Sequence, residues 1–60
     1  MPTPAELIEA RLSVLKQELS KAEKTGAGYL RDGNLSGALA AKEVKAALRE
    51  RIAMLEASLA

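Results

Sequence analysis

Residues 29–38 read YLRDGNLSGA, between two long stretches rich in Ala, Leu, Lys and Glu. Asp, Gly and Asn in succession are typical of a turn, because Gly and Asn tolerate the backbone conformations that reverse a chain. The residue types on either side favour helix. The segment therefore predicts two helices joined by a tight turn near Gly33.

The spacing of apolar residues on either side of this segment supports the same prediction. Steps of three and four residues separate the apolar positions in each half, which is the pattern of a coiled-coil seam. When the chain is folded back on itself, these positions pair at equal distances from a point between Gly33 and Asn34. One antiparallel register therefore matches the whole seam, and its pairs are Ile8/Leu59, Leu12/Leu55, Leu15/Ile52, Leu19/Leu48, Ala22/Lys45, Gly26/Ala41 and Tyr29/Ala38.

The helix ends follow from capping residues and from this register. Thr3 and Glu6 form a capping box, with Thr3 as the N-cap of the first helix. Gly26 and Gly28 would instead end that helix early if they formed a loop, but a long loop would be expected to break the shared register. We predict one all-α domain, an antiparallel two-helix hairpin with a helix at about 4–31, a turn at about 32–34 and a helix at about 35–60.

Residues 29–39 resemble the helix-turn-helix of tetratricopeptide repeats. The resemblance covers about a fifth of the chain and rests on the turn pattern. No second repeat is present, whereas an array needs about three. The resemblance thus supports the position of the turn and implies no repeat-protein function.

Composition excludes several classes of function. The 60 residues include no Cys and no His, which rules out disulfides, Cys/His zinc sites and Cys/His nucleophile pairs. No motif places a hydroxyl beside an activating base, and Glu6 and Glu9 lack the Glu-x-x-His partner of a di-iron bundle. The net charge is +1, no apolar run approaches the roughly 20 residues of a membrane span, and no signal peptide begins the chain. We expect a cytoplasmic, non-enzymatic protein with no catalytic, metal or cofactor site and no membrane partner.

Apolar residues outside the seam indicate self-association. A helix of an isolated hairpin needs one apolar stripe, and the second helix has two. Its charged residues also lack opposite charges three or four positions away, so they would pair across helices or subunits. We expect a four-helix bundle of two hairpins, or a larger oligomer. The candidate interface residues are Leu7, Val14, Leu39, Ala40, Ala47 and Met54.

Lys45 stands out because it occupies a seam position, opposite Ala22. As a structural residue it would set the register and reach water through its flexible stem. It could instead bind an anion, because basic residues outnumber acidic ones on the turn side of the hairpin. The ligand would be a phosphorylated, nucleotide-like small molecule, and the candidate residues for it are Lys45, Tyr29, Arg31 and Lys42.

Three functions remain open. The first and most favoured is a self-associating helical hairpin that acts as a regulatory or protein-interaction module, with itself and a further protein as partners. The second is an oligomer that sequesters the anionic ligand near the turn. The third is a dimeric hairpin that binds RNA, as plasmid-copy-control hairpins of similar architecture do. Nucleic acid is the least favoured partner, because Glu43 and Glu50 interrupt the basic row and one aromatic residue cannot build a stacking platform.

Overall fold

The computed structural model describes all 60 residues, which form two α-helices packed against each other. Helix α1 is Pro4–Arg31 and helix α2 is Leu35–Leu59. The prediction of an all-helical chain with two packed helices is confirmed. The molecule is an elongated rod with principal extents of 47 × 17 × 12 Å. Neither helix combines the length and the apolar character that crossing a membrane would require.

Helix α1 starts at the predicted cap and continues through both of its glycines. The Thr3 backbone is extended, and its hydroxyl oxygen accepts a hydrogen bond of 3.1 Å from the Glu6 amide. Pro4 lies at the first helical position, where its lack of an N–H costs nothing. Gly26 and Gly28 lie within the regular helix, which ends at Arg31.

The connection between the helices satisfies the polar groups at both helix ends. The amide of Asn34 donates to the carbonyl of Tyr29 at 2.8 Å, and the amide of Gly33 donates to that of Leu30 at 3.2 Å. This pair of bonds is a Schellman motif, which needs a left-handed residue, and Gly33 has φ of +74°. The Asn34 side-chain oxygen then accepts from the Gly37 amide at 2.9 Å and caps α2.

The contacts between the helices are antiparallel and change in character along the rod. Away from the connection, Leu12, Leu15 and Ile52 form the buried cluster, with Ile8, Leu19, Leu48 and Leu55 packed against it. Nearer the connection, Gly26 is buried against Ala41: a Cβ added at Gly26 would lie 3.3 Å from the Ala41 Cβ. The helices therefore pack through large side chains at one end and through small ones at the other.

Candidate functional site

An open groove of about 650 Å³ lies between the helices beside their connection, and we call it the turn-side groove. Its floor contains Gly26 and Ala38, which are buried and half-buried. Small residues at these positions leave space between the flanking side chains. The groove exists because the inter-helix contact here is made by small residues, which fill less of the space between the helices than leucines would.

Three leucines form the apolar part of the turn-side groove. Leu30 comes from the last turn of α1, and Leu35 and Leu39 come from the first turns of α2. Residues four apart on a helix lie on one face, so Leu35 and Leu39 follow one another along the groove. Their exposed fractions are 62% for Leu30, 68% for Leu35 and 62% for Leu39, so most of this apolar surface faces solvent.

Three basic side chains also line this groove. Lys42, Lys45 and Arg49 line it together with a single acid, Glu23. Lys45 is half-buried, and its ammonium nitrogen lies 3.8 Å from where a Cβ on Gly26 would stand. The ammonium therefore lies over the bare backbone of α1, at the wall of the groove.

The structure brings together two of the four residues predicted to bind an anion. Lys42 and Lys45 share the turn-side groove, and Arg49 joins them there although the ligand prediction omitted it. Tyr29 lines a different groove, on the other side of the seam, and Arg31 is exposed and lines neither. Lys42 and Arg49 lie on the same face of α2 because they are seven positions apart, which is close to two full turns.

Tyr29 packs on the backbone of α2 close to the connection. A Cβ added to Gly37 would lie 2.7 Å from two atoms of the Tyr29 ring, so the ring occupies the space that a side chain at position 37 would need. Its exposed fraction is 37%. The ring therefore packs the end of α1 against the start of α2, on the side of the hairpin away from the three bases.

A second surface runs along the side of the hairpin opposite the turn-side groove. Helix positions two apart, such as 25 and 27 of α1, point about 200° apart, and these two line grooves on opposite sides. On this side of α2, Val44 and Ala47 share one groove with Arg11, Glu18 and Arg51, and Ala47 shares the next with Met54. We call Val14, Val44, Ala47 and Met54 the valine face; Val14 belongs to it because it lies between Arg11 and Glu18 on the same stripe of α1.

The six residues predicted to form an oligomer interface divide between the two surfaces. Ala40, Ala47 and Met54 line grooves on the side of the valine face, and the helical period places Leu7 and Val14 there too. Leu39 instead lines the turn-side groove. Val44, which was not among the predicted residues, also lies on the side of the valine face and is 52% exposed. Its signal was the row of residues 40, 44, 47, 51 and 54, spaced by three and four, rather than the repeat of seven.

No group of three acidic side chains is arranged to hold a metal ion. Two hydroxyl groups form hydrogen bonds with the helix backbone: Thr3 accepts from the Glu6 amide, and Ser58 donates to the Met54 carbonyl at 3.1 Å. The site geometry thus consists of a basic and apolar groove on one side and an apolar row on the other. No protein family, curated protein or solved structure matches the chain.

Proposed function

We propose that this chain is a non-enzymatic interaction module that works as a homodimer, with the valine face as its interface. The observation that carries the proposal is the row of exposed apolar side chains along one side of the rod. Val14, Val44 and Met54 are 46%, 52% and 66% exposed. A row of exposed apolar side chains along one side of a small domain is typical of interaction sites, and two hairpins packed through it would form a four-helix bundle.

The small core of the hairpin supports this proposal. The buried hydrophobic residues are Leu12, Leu15, Ala41 and Ile52. Burying a large apolar side chain fully is worth roughly 1.5–3 kcal/mol, so covering one that is half exposed adds about 1 kcal/mol. A chain of 60 residues without disulfides gains from such additional burial, because its own core is small.

The valine face is also complementary to itself. Consider a two-fold axis perpendicular to the helices near Glu18, in the middle of α1. Val44 lies on the connection side of this point, whereas Val14 and Met54 lie on the far side. The axis therefore places Val44 of one copy over Val14 and Met54 of the second copy.

Binding is favoured over catalysis by the side chains available. The sequence has no His or Cys, so an acid–base pair or a nucleophile would have to come from hydroxyls, lysines and carboxylates alone. The one salt bridge, Lys16 to Glu56 at 3.6 Å, joins two side chains that are more than half exposed. Such a pair is well solvated and contributes little to stability or to chemistry.

Sedimentation velocity of two alanine variants tests the dimer. Ala47 lies on the valine face, and its exposed neighbour Ala46 points about 100° away around α2. We expect the wild type to sediment as a dimer at micromolar concentration and Ala47→Glu as a monomer, because the carboxylate would lose hydration without gaining a partner. Ala46→Glu, the matched control, should remain dimeric. A wild-type monomer over a hundredfold range of concentration would refute the proposal.

A second candidate function is the capture of an anionic ligand by the turn-side groove. The observation that favours it is the set of three bases, Lys42, Lys45 and Arg49, around one groove with one acid. The thermal shift of the protein against a panel of nucleotides, cyclic nucleotides and other phosphorylated compounds, at low and physiological salt, tests it. Stabilisation that survives physiological salt is the expected result, because a bound anion adds to the stability of the folded state alone.

A further inference from the structure

We propose that the turn-side groove binds a single-chain amphiphilic anion. Its alkyl chain would lie along Leu30, Leu35 and Leu39, and its anionic head would lie between Lys45 and Arg49. This inference deepens the anion-capture function and rests on it. It does not depend on the homodimer, because the groove lies on the side opposite the valine face and stays free when two hairpins pair.

The polarity of the groove changes along its length. On α2 the leucines at 35 and 39 lie beside the connection, and the bases at 42, 45 and 49 lie progressively farther from it. At 1.5 Å per residue the distance from Leu35 to Arg49 along α2 is about 21 Å. A molecule with an apolar tail and a charged head, lying parallel to α2, matches this order.

The apolar end lacks a partner within the chain. Leu30 on α1 and Leu35 and Leu39 on α2 flank the floor, and each is about two-thirds exposed. The floor residues are too small to cover them. An alkyl chain between the leucines would bury apolar surface on both helices at once, which is the main source of affinity for an apolar ligand.

The charged end also lacks a partner. The salt bridge between Lys16 and Glu56 is the only one in the chain, so none of the three groove bases is paired with a carboxylate. The single acid in the lining, Glu23, leaves an excess of positive charge. An anionic head group therefore meets donors that no protein carboxylate already occupies, and the Lys45 ammonium is partly withdrawn from water over Gly26.

The size and lining of the groove favour this ligand over other anions. A volume of about 650 Å³ falls in the roughly 300–1,000 Å³ range of small-ligand sites. A helix, about 10 Å across, would overfill it. A nucleotide base would be expected to stack on an aromatic ring, and the only one, Tyr29, packs on Gly37 on the other side. A free amphiphile uses the leucines and the bases together.

Titration of the full chain with dodecyl phosphate, kept below its micelle concentration, tests the proposal. Calorimetry should show saturable binding of one molecule per chain, and amide NMR shifts should change mainly for residues 26–30 and 35–49. Inorganic phosphate and dodecyltrimethylammonium should bind at least tenfold more weakly, because each lacks one of the two features the groove recognises.

Matched variants locate the binding. Lys45→Gln and Leu39→Ser should each weaken binding of dodecyl phosphate about tenfold. Their controls, Lys16→Gln and Leu59→Ser, make the same chemical changes outside both the groove and the valine face, and they should leave affinity unchanged. Circular dichroism of each variant confirms that it is folded before titration.

Each other outcome overturns the proposal in a distinguishable way. Equal affinity for inorganic phosphate or for a nucleotide removes the alkyl site but leaves anion capture standing. Equal affinity for dodecyltrimethylammonium reduces the groove to an unspecific apolar patch. If the protein binds only vesicles of anionic phospholipid, its ligand is a bilayer surface and not a free amphiphile. If it binds only an acidic amphipathic peptide, its ligand is a protein segment. Failure of every anion to bind refutes both the amphiphile and anion capture.

Discussion

The glycines inside the two helices differ in what surrounds them. A Cβ added to Gly28 would have no neighbour within 4 Å, whereas one added to Gly37 would collide with the Tyr29 ring. At Gly26 the corresponding contact is 3.3 Å, to Ala41. Alanine stabilises a helix interior relative to glycine by about 0.5–1 kcal/mol when space allows. One substitution should therefore have opposite effects at different glycines.

We expect Gly28→Ala to raise the free energy of unfolding by about 0.5–1 kcal/mol and Gly37→Ala to lower it by about 1 kcal/mol or more. Urea unfolding followed by circular dichroism measures both. The control is a double-mutant cycle: in a Tyr29→Ala background, Gly37→Ala should become stabilising, because the ring is gone. A loss of stability at Gly37 that persists without the ring would show that the close contact is not the cause.

At the scale of the helices, each N-terminus is capped by a side-chain oxygen. Thr3 caps α1 with a bond of 3.1 Å and Asn34 caps α2 with one of 2.9 Å. The two caps differ in position, because the first turn of α1 is at a free end of the rod and that of α2 follows the connection. A free helix end frays without disturbing the rest, whereas an end next to a connection cannot do so.

Asn34→Ala should therefore cost about 1–2 kcal/mol of unfolding free energy, and Thr3→Ala about 0.5 kcal/mol. Chemical denaturation at equal protein concentration compares the two variants. Asn34→Ser, which keeps a capping oxygen, is the control and should recover most of the loss. If Asn34→Ala and Thr3→Ala lowered the free energy of unfolding equally, the position of the Asn34 cap beside the connection would have no effect on its contribution to stability.

The sequence was sufficient to predict two packed helices because its local and long-range signals agree. Thr3 marks a helix start, and the seam residues pair in one register, so helix propensity and packing indicate the same architecture. The side of the hairpin on which each exposed residue lies was harder to predict. Tyr29 and Lys42 are both near the connection in sequence, but the helical period turns them to opposite sides. Leu39 lies on the side of the turn-side groove, away from the other five predicted interface residues, and the row that contains Val44 follows steps of three and four instead of seven.

For the molecule as a whole, stability comes from a short section of the rod. Leu15 is 3% exposed and lies in the cluster with Leu12 and Ile52. Leu35 is 68% exposed, although it is an equally large apolar side chain on the same rod. The two leucines therefore separate the contribution of burial from that of residue type.

Leu15→Ala should lower the free energy of unfolding by roughly 2–5 kcal/mol, through lost burial and a residual cavity. Leu35→Ala should change it by under about 0.5 kcal/mol, because little of that side chain is removed from water. Urea unfolding of both variants provides the measurement. If the two costs were similar, the cluster around Leu15 would not be the main source of stability.

The distance of the large-residue cluster from the connection also sets the order in which the chain can assemble. Leu15 and Ile52 are far apart in sequence, so bringing them together closes a long loop. The chain loses the conformational entropy of that loop before it gains much apolar contact. Contacts nearest the connection cost little entropy to form, but they involve small residues and therefore bury little apolar surface. Folding that starts at the connection and proceeds outward therefore rises in free energy for most of its course. This places the transition state late and makes the folding rate depend on the leucines at the far end.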